Sequence, residues 1–135
     1  MINRRFALTA LALAAGLTAV PSFAANGAVD GWPTFDQKAF EAAQAQGKPI
    51  LVHITAPWCP YCKAQKPILS GLLARPEFKD VQTFEIDFDS QKDLLHTFDV
   101  RKQSTLIAFK GASEVGRSTG DTNATSLEAL VSKLN

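Results

Sequence analysis

An excess of charge of either sign is missing from this 135-residue sequence: 14 lysines and arginines face 13 acidic residues, a net charge of +1. That balance removes the electrostatic basis for nucleic-acid binding. No internal repeat or low-complexity tract points to a scaffold. The apolar run from Ala7 to Val20 is about 14 residues, short of the roughly 20 needed to span a bilayer. Cysteine and histidine are scarce, at two each. A closed metal site needs about four ligands. Cys59, Cys62 and His53 offer at most three, and His96 lies elsewhere in the sequence, so neither a metal nor another cofactor is expected. A bridge between Cys59 and Cys62 would close two intervening residues and remove little chain entropy, which makes it a poor structural staple. Cysteines so spaced suit a redox pair or half of a metal site. The length suits one domain with an apolar core and is too short for two.

What is present begins with a processing segment. Arg4 and Arg5 precede the apolar run, and Ser22-Phe23-Ala24 puts small residues where a signal peptidase reads. The expectation is a signal peptide over residues 1–24 and a domain over residues 25–135. Arg4-Arg5 also loosely fits a twin-arginine signal, so the export route stays open. Cleavage would remove two basic residues and no acidic one, turning the net charge to −1. Both cysteines would then work in a periplasmic or secreted setting, where disulfides persist.

Within the domain, Thr34 and Gln37 form a capping-box signature ahead of Phe35, Ala39, Phe40 and Ala43 at helical spacing, and Gly47 stops the run. Ile50 to Ile54 reads as a buried strand. A helix opens at the cysteines and runs to about Ala74, with Pro67 expected to kink it. Strands follow at Val81 to Phe88, Thr105 to Phe109 and Glu114 to Ser118, with a short helix from Gln91 to Phe98 between the first two. Thr125 and Glu128 form a second capping box before a last helix carrying Leu127, Leu130, Val131 and Leu134. This order implies an α/β fold, a central mixed sheet of four strands with helices on both faces.

The densest signal is a strand, a short loop, then Cys59-Pro60-Tyr61-Cys62 opening a helix. A thiolate, not a thiol, attacks a disulfide. At a helix N-terminus Cys59 would sit among unpaired N–H groups at the positive end of the macrodipole, and Lys63 adds positive potential. Cys62, one turn along, could attack a mixed disulfide on Cys59 and release the product. Lying inside the helix, Cys62 is expected to be the more buried thiol.

The stretch from Ile50 through Trp58-Cys59-Pro60-Tyr61-Cys62-Lys63, with Pro67 beyond it, resembles the active-site strand and helix of the thioredoxin superfamily. The resemblance continues through Ser104-Thr105-Leu106-Ile107-Ala108-Phe109-Lys110-Gly111 to Gly120, and the helix-first opening from Phe35 to Pro49 is similar to exported members. It implies a thioredoxin-like fold and a thiol–disulfide oxidoreductase. The expected partners are exported protein thiols and disulfides and a membrane or periplasmic redox partner, with the chain acting as a monomer. It implies Cys59 as nucleophile, Cys62 as resolver, and Trp58, Pro60, Tyr61, Ser104 and Gly120 around the substrate. The alternative is a non-catalytic module that binds clients or a metal and merely keeps the pair.

Three positions depart from the family pattern. His53 stands where the family usually has a buried acid; a neutral imidazole there could accept the Cys62 proton, or be a hydrogen-bonded core residue. Ser104 stands at the family's cis-proline, so either a trans peptide or a strained cis one is expected, since a non-proline cis bond costs about 2.5–4 kcal/mol. Pro60-Tyr61 resembles glutaredoxins, but Trp58 and the lack of a Gly-Gly pair before the last helix do not fit a glutathione site. Among other polar residues, His96 reads as surface or packing, Asp87 and Asp89 as solvated or capping, and Asn123 as turn and cap chemistry.

Overall fold

A computed structural model describes residues 31–135; the expected signal peptide lies outside the described residues. The elements follow in the order α1 (Gln37–Ala45), β1 (Pro49–Thr55), α2 (Pro60–Leu73), a 3-10 turn (Pro76–Phe78), β2 (Gln82–Asp87), α3 (Lys92–Thr97), β3 (Thr105–Lys110), β4 (Ser113–Thr119) and α4 (Ala124–Ser132). They form one four-stranded sheet in the order β2-β1-β3-β4. β1 pairs parallel with β2 and antiparallel with β3, and β3 pairs antiparallel with β4. The sheet is mixed, as the element order implied.

β1 is central because it carries apolar side chains on both faces. Ile50 through Thr55 are all buried. Ile50, Val52 and Ile54 point to one face, where Phe40 and Ala43 of α1 and Leu95 of α3 pack. Leu51 points to the other, against Leu69 and Leu72 of α2 and Leu127, Leu130 and Val131 of α4. Alternation along a strand thus assigns two helices to each face. β1 and β2, being parallel, need a crossover, and α2 supplies it. β3 and β4 close through a tight turn at Gly111, whose φ of +58° favours glycine.

Both expected capping boxes give way to neighbouring caps. Thr34 is drawn alongside Glu85 of β2, with the Phe35 amide donating to the Glu85 carbonyl and the Glu85 amide to the Pro33 carbonyl, both at 2.8 Å. That extended backbone delays the helix, and Asp36 caps it by accepting from the Ala39 amide at 2.8 Å. α4 starts one residue earlier than Thr125, with Asn123 as cap accepting from the Ser126 amide at 3.1 Å. Glu128 is occupied by Arg75, at 2.5 Å to Nη1. Pro67 sits inside α2 and withdraws one amide donor, yet the helix runs unbroken from Pro60 to Leu73.

Candidate active site

The site lies where β1 ends and α2 begins. Cys59 is the N-cap of α2, in extended backbone, and Pro60 occupies the first turn, where a missing N–H costs nothing. The Cys59 sulfur accepts from the Cys62 amide at 3.1 Å, so an otherwise unpaired helix N–H is directed at it. Cys59 and Cys62 are disulfide-bonded, with Cα atoms 5.4 Å apart. In this state both are buried beside Ala56, with Phe88 against them, so burial does not separate the two sulfurs as expected for the resolver.

Trp58 and Tyr61 flank the pair and are 56% and 54% exposed, unusual for large aromatic side chains. The Trp58 indole N–H donates to the Asp89 carboxylate at 2.8 Å, and its ring meets Phe88 edge to face. Asp89 therefore orients an exposed aromatic residue. Asp87 instead organises the same turn, accepting from the amides of Asp89 and Ser90 and from the Ser90 hydroxyl, bonds that hold its carboxyl below the usual range.

Opposite the cysteines, Ser104 has a trans peptide and a φ of +60°, a left-handed conformation rare for a side-chain-bearing residue. Its amide donates to the Ile54 carbonyl at 2.8 Å, which extends the β1–β3 ladder into the loop. Its hydroxyl turns back to the Gln103 carbonyl at 2.5 Å. Its carbonyl accepts from the Gly120 amide at 3.0 Å. The structure thus brings Ser104 and Gly120 together, and the Ile54 carbonyl that accepts from Ser104 also lies 4.0 Å from the Cys62 sulfur; Gly120 takes a φ of +71° there.

His53 is 1% exposed on β1, on the face that α2 covers. Its Nε2 lies 2.9 Å from Gln65 Oε1, and the ring meets Trp32 edge to face. Burial pushes its pKa down to about 4; the hydrogen bond to Gln65 works against that, and the Lys66 charge works with it. The ring is therefore neutral near pH 7. Gln65 is a site residue that the sequence reading passed over. It is fully buried and also donates to the carbonyls of Ser104, at 3.1 Å, and Asp121, at 2.8 Å. A signal for it existed: Gln65 is the polar member of a helix face otherwise formed by Cys62, Leu69 and Leu72. His96 is exposed on α3 and takes no part. Among the described residues, no three His, Cys, Asp or Glu side chains are grouped to hold a metal.

Comparison with known proteins agrees with this geometry. Residues 32–133 match the thioredoxin family model. Thioredoxin Asp f 29 of Aspergillus fumigatus is 33% identical over 97 residues, covering 71% of this chain and 87% of its own length. The thioredoxin of Chlamydia trachomatis is 37% identical over 84 residues, covering 62% and 80%. The crystal structure of Trxlp from Edwardsiella tarda superposes with a TM-score of 0.72 at 40% identity, covering 75% of this chain and 98% of that one. The family match over residues 32–133, with a disulfide pair at the start of α2 in this sheet, identifies the chain as a member of the thioredoxin family and a thiol–disulfide oxidoreductase.

Proposed function

We propose that this enzyme exchanges dithiol and disulfide with exported proteins, outside the cytoplasm, with Cys59 as the attacking sulfur and Cys62 as the resolving one. The observation that carries the assignment of roles is the position of Cys59 as the N-cap of α2, with the Cys62 amide aimed at its sulfur. A developing thiolate at Cys59 gains that hydrogen bond and the positive end of the helix dipole; the Cys62 sulfur instead lies 4.0 Å from the Ile54 carbonyl, which favours the thiol.

In the reducing direction, the Cys59 thiolate attacks one sulfur of a substrate disulfide, and the other substrate sulfur leaves as a thiolate. Cys62 then gives up its proton, attacks Cys59, and expels the second substrate sulfur. Two electrons pass to the substrate, and the Cys59–Cys62 disulfide results. His53, neutral near pH 7, is the acceptor of the Cys62 proton and passes it on to the departing thiolate; its lowered pKa makes it a weak base that holds the proton only in transit. Trp58, Pro60 and Tyr61 form the exposed rim that receives the substrate chain, and the partly exposed Gly120, held by the carbonyl of the buried Ser104, stands across from it. A membrane or periplasmic redox partner resets the pair. The leader-like sequence of residues 1–24 supports the extracytoplasmic setting.

The deciding experiment is insulin-disulfide reduction with dithiothreitol. Wild type is expected to accelerate it and Cys59→Ser to lose that acceleration. Equal rates would sink the assignment of Cys59.

A further inference from the structure

We infer that Gln65 is a positioning residue of the exchange reaction: its buried amide fixes which nitrogen of His53 carries the proton and ties that histidine to the loop opposite the cysteines. The inference rests on His53 acting as proton acceptor in the reading above. Its own evidence is the hydrogen-bond network.

The orientation of the amide follows from its partners. Two carbonyl oxygens, of Ser104 and Asp121, face one end of Gln65 at 3.1 and 2.8 Å. Carbonyls only accept, so the NH2 group must be at that end, and each of its hydrogens is used. Flipping the amide would set Oε1 against two other oxygens at a fully buried position. Oε1 is therefore at the other end, 2.9 Å from His53 Nε2. An oxygen acceptor there requires a donor, so Nε2 bears the hydrogen and Nδ1 keeps its lone pair. A proton arriving at His53 must go to Nδ1. The imidazolium then formed keeps Nε2–H on Gln65 Oε1, in a bond strengthened by its charge. Gln65 thus makes Nδ1 a better base than burial alone would leave it.

The surroundings contain little else to do this. Lys66 of α2 and Glu85 of β2, the register partner of His53, pair with each other at 3.6 Å. Leu106 of β3 and Trp32 bring no charge. The Asp121 carboxylate is engaged with the Ser126 hydroxyl and the Asn123 amide, and only its carbonyl reaches Gln65. Cys62 lies one turn before Gln65 on the same buried face of α2.

The test reads the tautomer first. In nitrogen-15 spectra of the wild-type protein at pH 7, His53 Nε2 should show the shift of a protonated ring nitrogen and Nδ1 that of an unprotonated one. The reverse pattern, or an even mixture, overturns the inference without any variant having to fold. Gln65→Glu keeps the acceptor for Nε2–H but turns its second oxygen against the carbonyls of Ser104 and Asp121, so it should hold the Nε2–H form and raise the His53 pKa at a cost in stability. Gln65→Met removes the acceptor at similar volume; it should lower that pKa, lose the single tautomer, and slow release from the mixed disulfide by about ten- to a hundredfold. Wild-type tautomer and release rate in Gln65→Met would refute the positioning role. Failure of the His53 reading would show instead as a wild-type release rate in His53→Ala, with the Nε2–H form still seen in the wild-type spectrum.

Discussion

The amide of Ser104 donates to the carbonyl of Ile54 at 2.8 Å, at a position where the family resemblance leads one to expect a proline with no N–H to give. The serine makes the loop a continuation of the sheet. It does so with a φ of +60°, and that conformation sets the consequences of substitution.

Proline at 104 should therefore be harmful. Its ring holds φ near about −65°, and it cannot donate to Ile54. Ser104→Pro is expected to lower stability by about 2–4 kcal/mol, combining a lost buried hydrogen bond with a forced loop rearrangement. Ser104→Gly removes the left-handed strain and the hydroxyl together, and should stay within about 1 kcal/mol of wild type. Urea denaturation of the two variants provides the check, and a proline variant as stable as wild type would mean that the loop tolerates another geometry.

The two cysteines should separate under trapping. Cys62→Ser leaves Cys59 able to attack but removes the sulfur that resolves the product, so a mixed disulfide should accumulate with a substrate protein. Cys59→Ser should form none. Mass spectrometry under non-reducing conditions reads both, and an adduct on Cys62 in the Cys59→Ser protein would reverse the assigned roles.

His53 should leave a signature in the pH dependence of stability. Its ordinary pKa is 6.5, and in the folded protein burial holds it at about 4. Between those values the unfolded chain binds a proton that the native one refuses, so stability falls as the pH drops through that window and levels off below it. The full effect is about 3 kcal/mol. In His53→Leu the slope between pH 6.5 and 4 should flatten, as measured by chemical denaturation at each pH. An unchanged slope would place the titration on another group.

The parts of this molecule that could be read from sequence are those set by neighbours along the chain. Ile50 to Ile54 reads as a buried strand because a short, mainly β-branched apolar run, interrupted only by His53, lies between Pro49 and the loop, and Cys59-Pro60 marks a helix start from local chemistry alone. Thr34 misled for a tertiary reason: β2 captures its backbone, and Asp36 inherits the cap. Gln65 shows in the sequence only as a polar residue on an apolar helix face; its role is not legible there because its partners stand 12, 39 and 56 residues away. Ser104 was identifiable as a departure from the family, but its left-handed conformation is fixed from a distance by Ile54 and Gly120.

Asp89 should act on substrate through Trp58. The indole is more than half exposed, and its polar end is held by the Asp89 carboxylate at 2.8 Å while Phe88 supports the ring. A large exposed aromatic surface can contribute binding energy only if its orientation is not lost again on each encounter. Asp89→Ala frees the indole without removing it, so the Michaelis constant for a protein disulfide should rise severalfold while kcat changes little. Because both partners are exposed, stability should fall by less than about 1 kcal/mol. Trp58→Ala removes the surface itself and should raise the constant further, whereas a small linear disulfide such as bis(2-hydroxyethyl) disulfide should react equally well with all three proteins. Steady-state kinetics on the two substrates separate a docking role from a chemical one: a matching loss on the small disulfide would show that Trp58 acts on the sulfurs and not on the substrate chain.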